Sequence, residues 1–269
     1  MIKTDISKVF PLLEAPLVHC ITNEVTCETV ANALLYIGAK PIMASDRREF
    51  DELFPQTDSL LLNIGHLSEE REESLVAAAK LANKSKKPTV VDLVGYGVSQ
   101  TRNQVGQQLA AEQPTVIKGN SSELRHFCGL SSQARGVDSS ALDQNPAALD
   151  ELSEAMQALT KRYPKTIFLA TGSQDLIVEN GHQWRLTNGV ASLDRFTGTG
   201  DIVGALIAAL LGGGIEPIVA VIAAVSYFNR CGEQAEKTAG LAAFRQATLD
   251  QLSLLMEKNW WTEVRGWEK

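Results

Sequence analysis

The chain reads as an α/β protein, a mostly parallel sheet with helices on both faces and an antiparallel hairpin at one edge. Three observations predict this. Segments such as DSLLLNIG (58–65), PTVIKGN (114–120) and PKTIFLATG (164–172) are apolar nearly throughout and alternate with helical stretches, the pattern of strands covered on both sides. Asn180-Gly181 joins two short β-prone runs, a type I′ hairpin signal. From Gly200 onward the sequence is nearly all helical, beginning with a very apolar run.

In order, an amphipathic N-terminal helix is expected first, and then PLVHCIT (16–22) forms a strand that stops at Asn23. Thr26 to Gly38 carries Val30, Ala33, Leu34 and Ile37 at helical spacing and ends on a glycine suited to a C-cap. PIMAS (41–45) gives a short strand, and Asp46 caps a helix through Glu49 and Leu53. Ser68, followed by Glu69 and Glu70, opens a helix to Asn83. KPTVVDLVGYG (87–97) is a further strand with its glycine-rich exit, followed by a helix over Gln100 to Ala111. A helix over Ser121 to Cys128 follows the strand ending at Asn120. The polar segment Ser131 to Asn145 reads as loop, and Pro146 begins a helix reaching Arg162. EPIVAVIAAVSYF (216–228) must be buried in the core or in a subunit contact. Trp260 and Trp261 are expected to pack onto the body. Neither a repeat nor a linker interrupts residues 1–269, which are read as one domain.

The formal net charge of −7, with no run of Lys or Arg, argues against nucleic acid or an acidic membrane surface as partner. The first residues lack the pattern of a signal peptide, and the longest apolar stretch, Ile202 to Ile215, is shorter than the ~20 residues a bilayer requires. A cytoplasmic protein is expected. Cys20, Cys27, Cys128 and Cys231 show no CxxC spacing and read as reduced.

In an open parallel sheet, ligands bind beyond the carboxyl ends of the strands. Asn23, Met43 with Asp46, Gly65 with His66, Asp92 with Gly95 and Gly97, Lys118 with Asn120 and Glu123, Thr171 with Gly172, and FTGTGD (196–201) should therefore gather on one rim. The last stretch has two readings. Gly198, Thr199 and Gly200 at a helix start can cradle an anion with Asp201 in position to take a proton, or Asp201 is only a first-turn charge on a capped helix. Asp92 ends a strand before glycines, where an acidic residue and water can hold magnesium. Asn120-Ser-Ser-Glu123 has the spacing of a capping box, so Glu123 is either cap or ligand, or both. There is no GxxxxGK[ST], HExxH or zinc-type cluster, and His19, His66, His126 and His182 are scattered and read as structural.

PLVHCITN, IGA, PIMA, LLLNIG, VVD, KGNSSE, RGVD, ATG and TGTGD occur in an order, over nearly the whole chain, that resembles the 4-methyl-5-(2-hydroxyethyl)thiazole kinases of the ribokinase superfamily. The resemblance implies a three-layer ribokinase-like fold and ATP- and Mg2+-dependent phosphorylation of the thiazole's primary alcohol in thiamine salvage. It implies Asp201 as base, with the amides of Gly198, Thr199 and Gly200 as anion hole for the transferred group. Met43 and Gly198 would contact the thiazole, Lys118, Thr171 and Asn120 the ATP side, and Asp92 and Glu123 the metal. It also implies a homotrimer with substrate sites at subunit boundaries. Many relatives carry cysteine at position 201, and Lys118 stands where arginine is expected. Glu24, Cys27, Glu28, His66, Leu93 and Tyr96 differ from the family's usual residues near the pocket. These differences leave a pyrimidine- or pyridoxal-type alcohol as alternative substrate, and a non-catalytic nucleotide- or thiazole-binding protein as alternative function.

Overall fold

The computed structural model describes residues 6–132, 143 and 145–269. Its nine strands form one sheet: β1 Leu17–Ile21, β2 Lys40–Ile42, β3 Ser59–Asn63, β4 Thr89–Asp92, β5 Val116–Asn120, β6 Ile167–Thr171, β7 Asp175–Glu179, β8 His182–Leu186 and β9 Gly266–Glu268. Their order is β2-β1-β3-β4-β5-β6-β7-β8-β9, parallel from β2 to β6 and antiparallel from β6 to β9. The helices are α1 Cys27–Tyr36, α2 Phe50–Leu53, α3 Glu69–Ser85, α4 Gln100–Ala111, α5 Ser121–Phe127, α6 Pro146–Thr160, α7 Thr199–Gly212, α8 Pro217–Ala235 and α9 Leu241–Leu254.

Successive strand residues point to opposite faces, and that alternation divides the core in two. Leu61, Val90, Val116 and Leu169 meet α1, α7, α8 and α9 on one face. Leu60, Leu62, Val91, Ile117 and Phe168 meet α3, α4, α5 and α6 on the other. The result is three layers, helices on both sides of the sheet. Between Asp201 and Leu211 every residue of α7 is buried, and the helix lies across β1, β3 and β4. The apolar segment Glu216 to Phe228 finds its burial within the chain: α8 packs between α7 and α9, and the Tyr227 hydroxyl donates to Leu252 O at 2.7 Å.

Asn180 and Gly181 both have positive φ, 26° and 98°, and join β7 to β8 as the hairpin signal requires. The hairpin lies in the antiparallel edge region of the sheet, as expected, and one further strand extends it. The final residues, expected to continue the helical region, form β9 antiparallel to β8, with Trp184 opposite Glu268. Trp260 packs edge-on against Phe10 and Tyr227. The expected N-terminal helix falls partly on residues 1–5, outside the described residues; Ser7 to Ala15 form turns and bends rather than a helix. RGVD (135–138) and most of the expected loop 131–145 also lie outside them.

The chain leaves β1 toward β2 on one side and then returns to add β3 on the other. The sheet's topological switch point therefore lies between β1 and β3, where the loops after the two strands diverge and open a crevice.

Candidate active site

Three in-register positions carry polar side chains across the sheet: Asn63 on β3 pairs with Asp92 on β4, which pairs with Lys118 on β5. Neighbours in register on parallel strands project to the same face, here the face covered by α7. Lys118 Nζ lies 2.8 Å from Asp92 Oδ2, and both residues are almost wholly buried, at 2% and 1% exposure. Asn63 Nδ2 reaches the same Asp92 oxygen at 3.3 Å.

The N-terminus of α7 comes down on this row. Gly198 has φ 98°, a left-handed conformation that favours glycine, and a Cβ there would lie 2.9 Å from Thr26 Cγ2. Gly200 and Gly204 let the helix approach closely: an added Cβ would stand 3.5 Å from Lys118 Nζ at the first and 3.5 Å from Lys118 Cδ at the second. Asp201, in the first turn, is 7% exposed. Its Oδ1 accepts from Asn63 Nδ2 at 2.8 Å, and its Oδ2 accepts from Asn23 Nδ2 at 3.0 Å and from the Thr26 hydroxyl at short range. Asn23 in turn accepts the Thr26 amide through Oδ1 at 3.0 Å. One continuous polar chain thus runs from Lys118 through Asp92, Asn63 and Asp201 to Asn23 and Thr26.

Burial pushes the Asp92 carboxyl above the usual carboxylate range, against the pull of Lys118. Its Oδ1 has no hydrogen-bond partner. Glu123 is pushed up to about 7, by burial first and by the charge of Asp92 second, while two backbone amides pull the other way. Those amides are Gly95 N, donating to Oε1 at 2.6 Å, and Asn120 N, donating to Oε2 at 2.7 Å. The second completes the capping box foreseen in the sequence, with Asn120 Oδ1 accepting Glu123 N at 2.9 Å.

Chemically, the cluster offers a held carboxylate at a helix N-terminus, a cradle of small residues whose first-turn amides have no partner within the helix, and one buried cation directly beneath them. A buried acceptor, Asp92 Oδ1, stays free for a ligand. Asp201, Gly198, Gly200, Asp92 and Lys118 come together as the strand-end rule anticipates. Asn120 and Thr171 are Cα partners at the adjacent ends of β5 and β6, two residues beyond Lys118. Met43 follows β2 and packs against the α7-side core. Glu24, Cys27, Glu28 and His66 sit on the partly open surface near the β1 exit, with His66 Nδ1 3.7 Å from Glu24 Oε2. Leu93 and Tyr96 differ: they are buried in the opposite core, Tyr96 edge-on to Phe127, so they do not line the crevice. His19 is buried against Phe50 and Phe54, as its structural reading requires.

Thr26, Asn63 and Arg102 escape sequence reasoning. Asn63 is signalled only by being the polar end of an otherwise apolar LLLN strand. Arg102 donates to Val94 O and Gly65 O, both at 2.7 Å, and to Ile64 O, tying together the loops after β3 and β4. An arginine on an amphipathic helix gives no sign of this. Among the described residues no three His, Cys, Asp or Glu side chains are grouped to hold a metal by themselves, and no helix is long and apolar enough to cross a membrane.

The sequence model of the hydroxyethylthiazole kinase family matches residues 12–258. A hydroxyethylthiazole kinase of Enterococcus faecalis is 60% identical over 260 residues, covering 96% of both chains. One of Lacticaseibacillus casei is 57% identical over 98% of this chain and 95% of its own. Among solved structures, a hydroxyethylthiazole kinase protein of Pyrococcus horikoshii superposes with a TM-score of 0.86 at 29% identity, covering 100% of this chain and 98% of that one. A Bacillus subtilis pyridoxal kinase, at 16% identity and TM-score 0.58 over 82% of this chain and 92% of its own, shares the fold.

Proposed function

The chain belongs to the hydroxyethylthiazole kinase family, and from that premise we propose that it transfers the γ-phosphoryl group of ATP to the primary alcohol of 4-methyl-5-(2-hydroxyethyl)thiazole, a step of thiamine salvage. The observation that carries the mechanism is the placement of Asp201 at the mouth of an amide-lined helix N-terminus, with Lys118 beneath it.

In this reading residues 1–269 act as one catalytic domain. Asp201 accepts the hydroxyl proton as the alcohol oxygen bonds to the γ-phosphorus. The bond from phosphorus to the β,γ-bridging oxygen breaks, ADP leaves with that electron pair, and the proton stays on Asp201 until it passes to solvent. Phosphoryl transfer needs positioning and charge stabilisation rather than covalent chemistry, and this site supplies both. The amides of Gly198, Thr199 and Gly200 and the Lys118 ammonium offset charge on the transferred group. Thr171 and Asn120 contact the nucleotide, and Met43 and Gly198 contact the thiazole.

Mg2+ suits the residues present. It keeps several waters and takes one or two carboxylates together with substrate phosphates. Asp92 would hold it through the free Oδ1, and Glu123, whose oxygens both accept amides, would act through water. When bound, the ion would offset negative charge on the nucleotide's phosphates. A homotrimer is what the family resemblance implies; Val25, beside the site, and Leu35 and Tyr36, at the other end of α1, are exposed apolar residues that a second subunit would cover. We place the reaction in the cytoplasm, where ATP is supplied.

The test compares phosphate transfer from ATP-Mg2+ to the thiazole alcohol, a hydroxymethylpyrimidine and pyridoxal. The thiazole should have the highest kcat/KM. No turnover of it, or faster turnover of another alcohol, sinks the substrate assignment. Binding of ATP without turnover of any alcohol sinks the kinase reading. Asp201→Asn should lower kcat by about 10²- to 10⁴-fold, the usual worth of a general base, with ATP affinity retained.

A further inference from the structure

A carboxylate offers about four lone-pair directions. On Asp201 three are occupied: two on Oδ2, by Asn23 Nδ2 and the Thr26 hydroxyl, and one on Oδ1, by Asn63 Nδ2. The one remaining direction is on Oδ1. We propose that Asn63 and Thr26 are positioning residues that fix the plane of the Asp201 carboxylate, so that Oδ1 is the oxygen that takes the substrate proton. This rests on the reading of Asp201 as the base.

Neither donor is free to turn away. Asn63 Oδ1 accepts Gly65 N at 2.8 Å, which fixes the amide with its Nδ2 facing the carboxylates. The β3–β4 register and the Arg102 clamp on Ile64 O, Gly65 O and Val94 O hold the strand ends that carry Asn63 and Asp92. The same Nδ2 reaches Asp92 Oδ2, so one amide spans the two carboxylates that flank it. Thr26 stands at the N-cap of α1, where a threonine normally bonds the backbone of its own helix. It makes no such bond. Its single proton goes to Asp201, the shorter and charged acceptor, rather than to Asn23 Oδ1 at 3.0 Å. Asp201 thus has a different residue holding each oxygen, contributed by segments 175 and 138 positions away in sequence.

A residue that merely stabilises the fold and one that orients the base differ in measurable ways. The variants are Thr26→Val, Thr26→Ser and Asn63→Leu, each alone and in the Asp201→Asn background, assayed as full-length enzyme with the thiazole alcohol and ATP-Mg2+. Thr26→Val and Asn63→Leu should each lower kcat by about 10- to 100-fold, the effect of a base displaced by about 1 Å, with KM for both substrates changed less than about threefold. Thr26→Ser, which keeps the hydroxyl, should stay within about threefold of wild type. In Asp201→Asn enzyme, adding Thr26→Val should change kcat by less than about twofold, because it acts through a base already removed, while adding Asn63→Leu should cost less than it does alone, its remaining effect passing through Asp92.

Equal losses of kcat in both backgrounds would overturn the inference. So would a loss confined to KM, or a Thr26→Ser variant as slow as Thr26→Val. Should Asn63→Leu not fold, the Thr26 pair decides alone. Full turnover by Asp201→Asn by itself would instead remove the base assignment on which the inference rests.

Discussion

Replacing Lys118 by methionine removes the one cation buried beneath the α7 N-terminus. Lys118 and Asp92 are 2% and 1% exposed and 2.8 Å apart, so the substitution leaves a carboxylate that water cannot reach. Only the Asn63 amide, at 3.3 Å from Oδ2, would remain as a donor to it, since Oδ1 already has none. Breaking one side of a buried pair costs about 3–5 kcal/mol. For a chain of this size that is a fall in Tm of about 6–20 °C. The deficit should also depend on pH, and the sign is fixed. Burial holds the Asp92 carboxyl above its unfolded value, and loss of Lys118 raises it further. A raised carboxyl contributes stability that is present at low pH and lost as pH rises through its folded value. Thermal denaturation at pH 5 and pH 8 should therefore show the larger deficit at pH 8. Lys118→Met combined with Asp92→Leu should recover much of the loss, because an apolar pair replaces an ion pair without leaving an orphan charge. A Lys118→Met protein as stable as wild type at pH 8, or a double variant less stable than the single one, would refute the reasoning.

Asp92→Asn should raise the Mg2+ concentration needed for half-maximal turnover, read from a magnesium titration at saturating substrates; an unchanged titration removes Asp92 from the metal. Gly198→Ala places a Cβ 2.9 Å from Thr26 Cγ2 at φ 98°, a conformation costing about 1–2 kcal/mol for an L-residue before any clash. Its loss of activation free energy, from RT ln of the kcat ratio, should exceed its loss of unfolding free energy measured on the same preparation, since Thr26 holds Asp201. Asp175 is a buried carboxylate accepting from Gly172 N and Asn229 Nδ2, and burial pushes it from its ordinary value of 3.8 to about 7. Its contribution to stability is present below about pH 4 and lost as pH rises through about 7, with about 3 kcal/mol of that loss falling between pH 5 and pH 8. Asp175→Asn, with the Asn229 amide turned over to present its oxygen, should flatten the fall in urea-unfolding free energy over that interval.

The elements were legible because their causes are local. LLLN, VIKGN and IFLAT announce buried strands by composition, Asn180-Gly181 announces a hairpin by backbone conformation, and Asn120 with Glu123 announces a cap that the hydrogen bonds show in both directions. β9 was not legible, since the three exposed residues Gly266, Trp267 and Glu268 carry no alternation and are a strand only because β8 offers an unpaired edge. Leu93 and Tyr96 follow Asp92 in the chain and count among the residues that differ from the family near the pocket, but the turn after β4 sends both side chains into the far core. The rim position of Asp201 could be inferred from the glycines before it. Its partners could not, because nothing near residue 201 specifies Asn23, Thr26 or Asn63; the strand register and the landing point of α7 do.

That partnership bears on why position 201 holds an aspartate rather than a residue with a single acceptor atom, such as cysteine. A thiolate has one acceptor atom and a thiol is a weak one. Asn63, Asn23 and Thr26 present three separate donors, directed at two oxygens and buried with them. A carboxylate has the acceptor capacity to take all three and still face a substrate hydroxyl. Without it the donors fall back on second acceptors, the Thr26 hydroxyl on Asn23 Oδ1 at 3.0 Å, Asn63 Nδ2 on Asp92 Oδ2 at 3.3 Å and Asn23 Nδ2 on Asn63 Oδ1 at 3.5 Å, so the charge-assisted bonds are lost. Aspartate at position 201 and its three donors are therefore one unit: in the proposed mechanism the shell that orients the base also fixes which residue the base can be, and the acidity of the side chain is only part of the requirement.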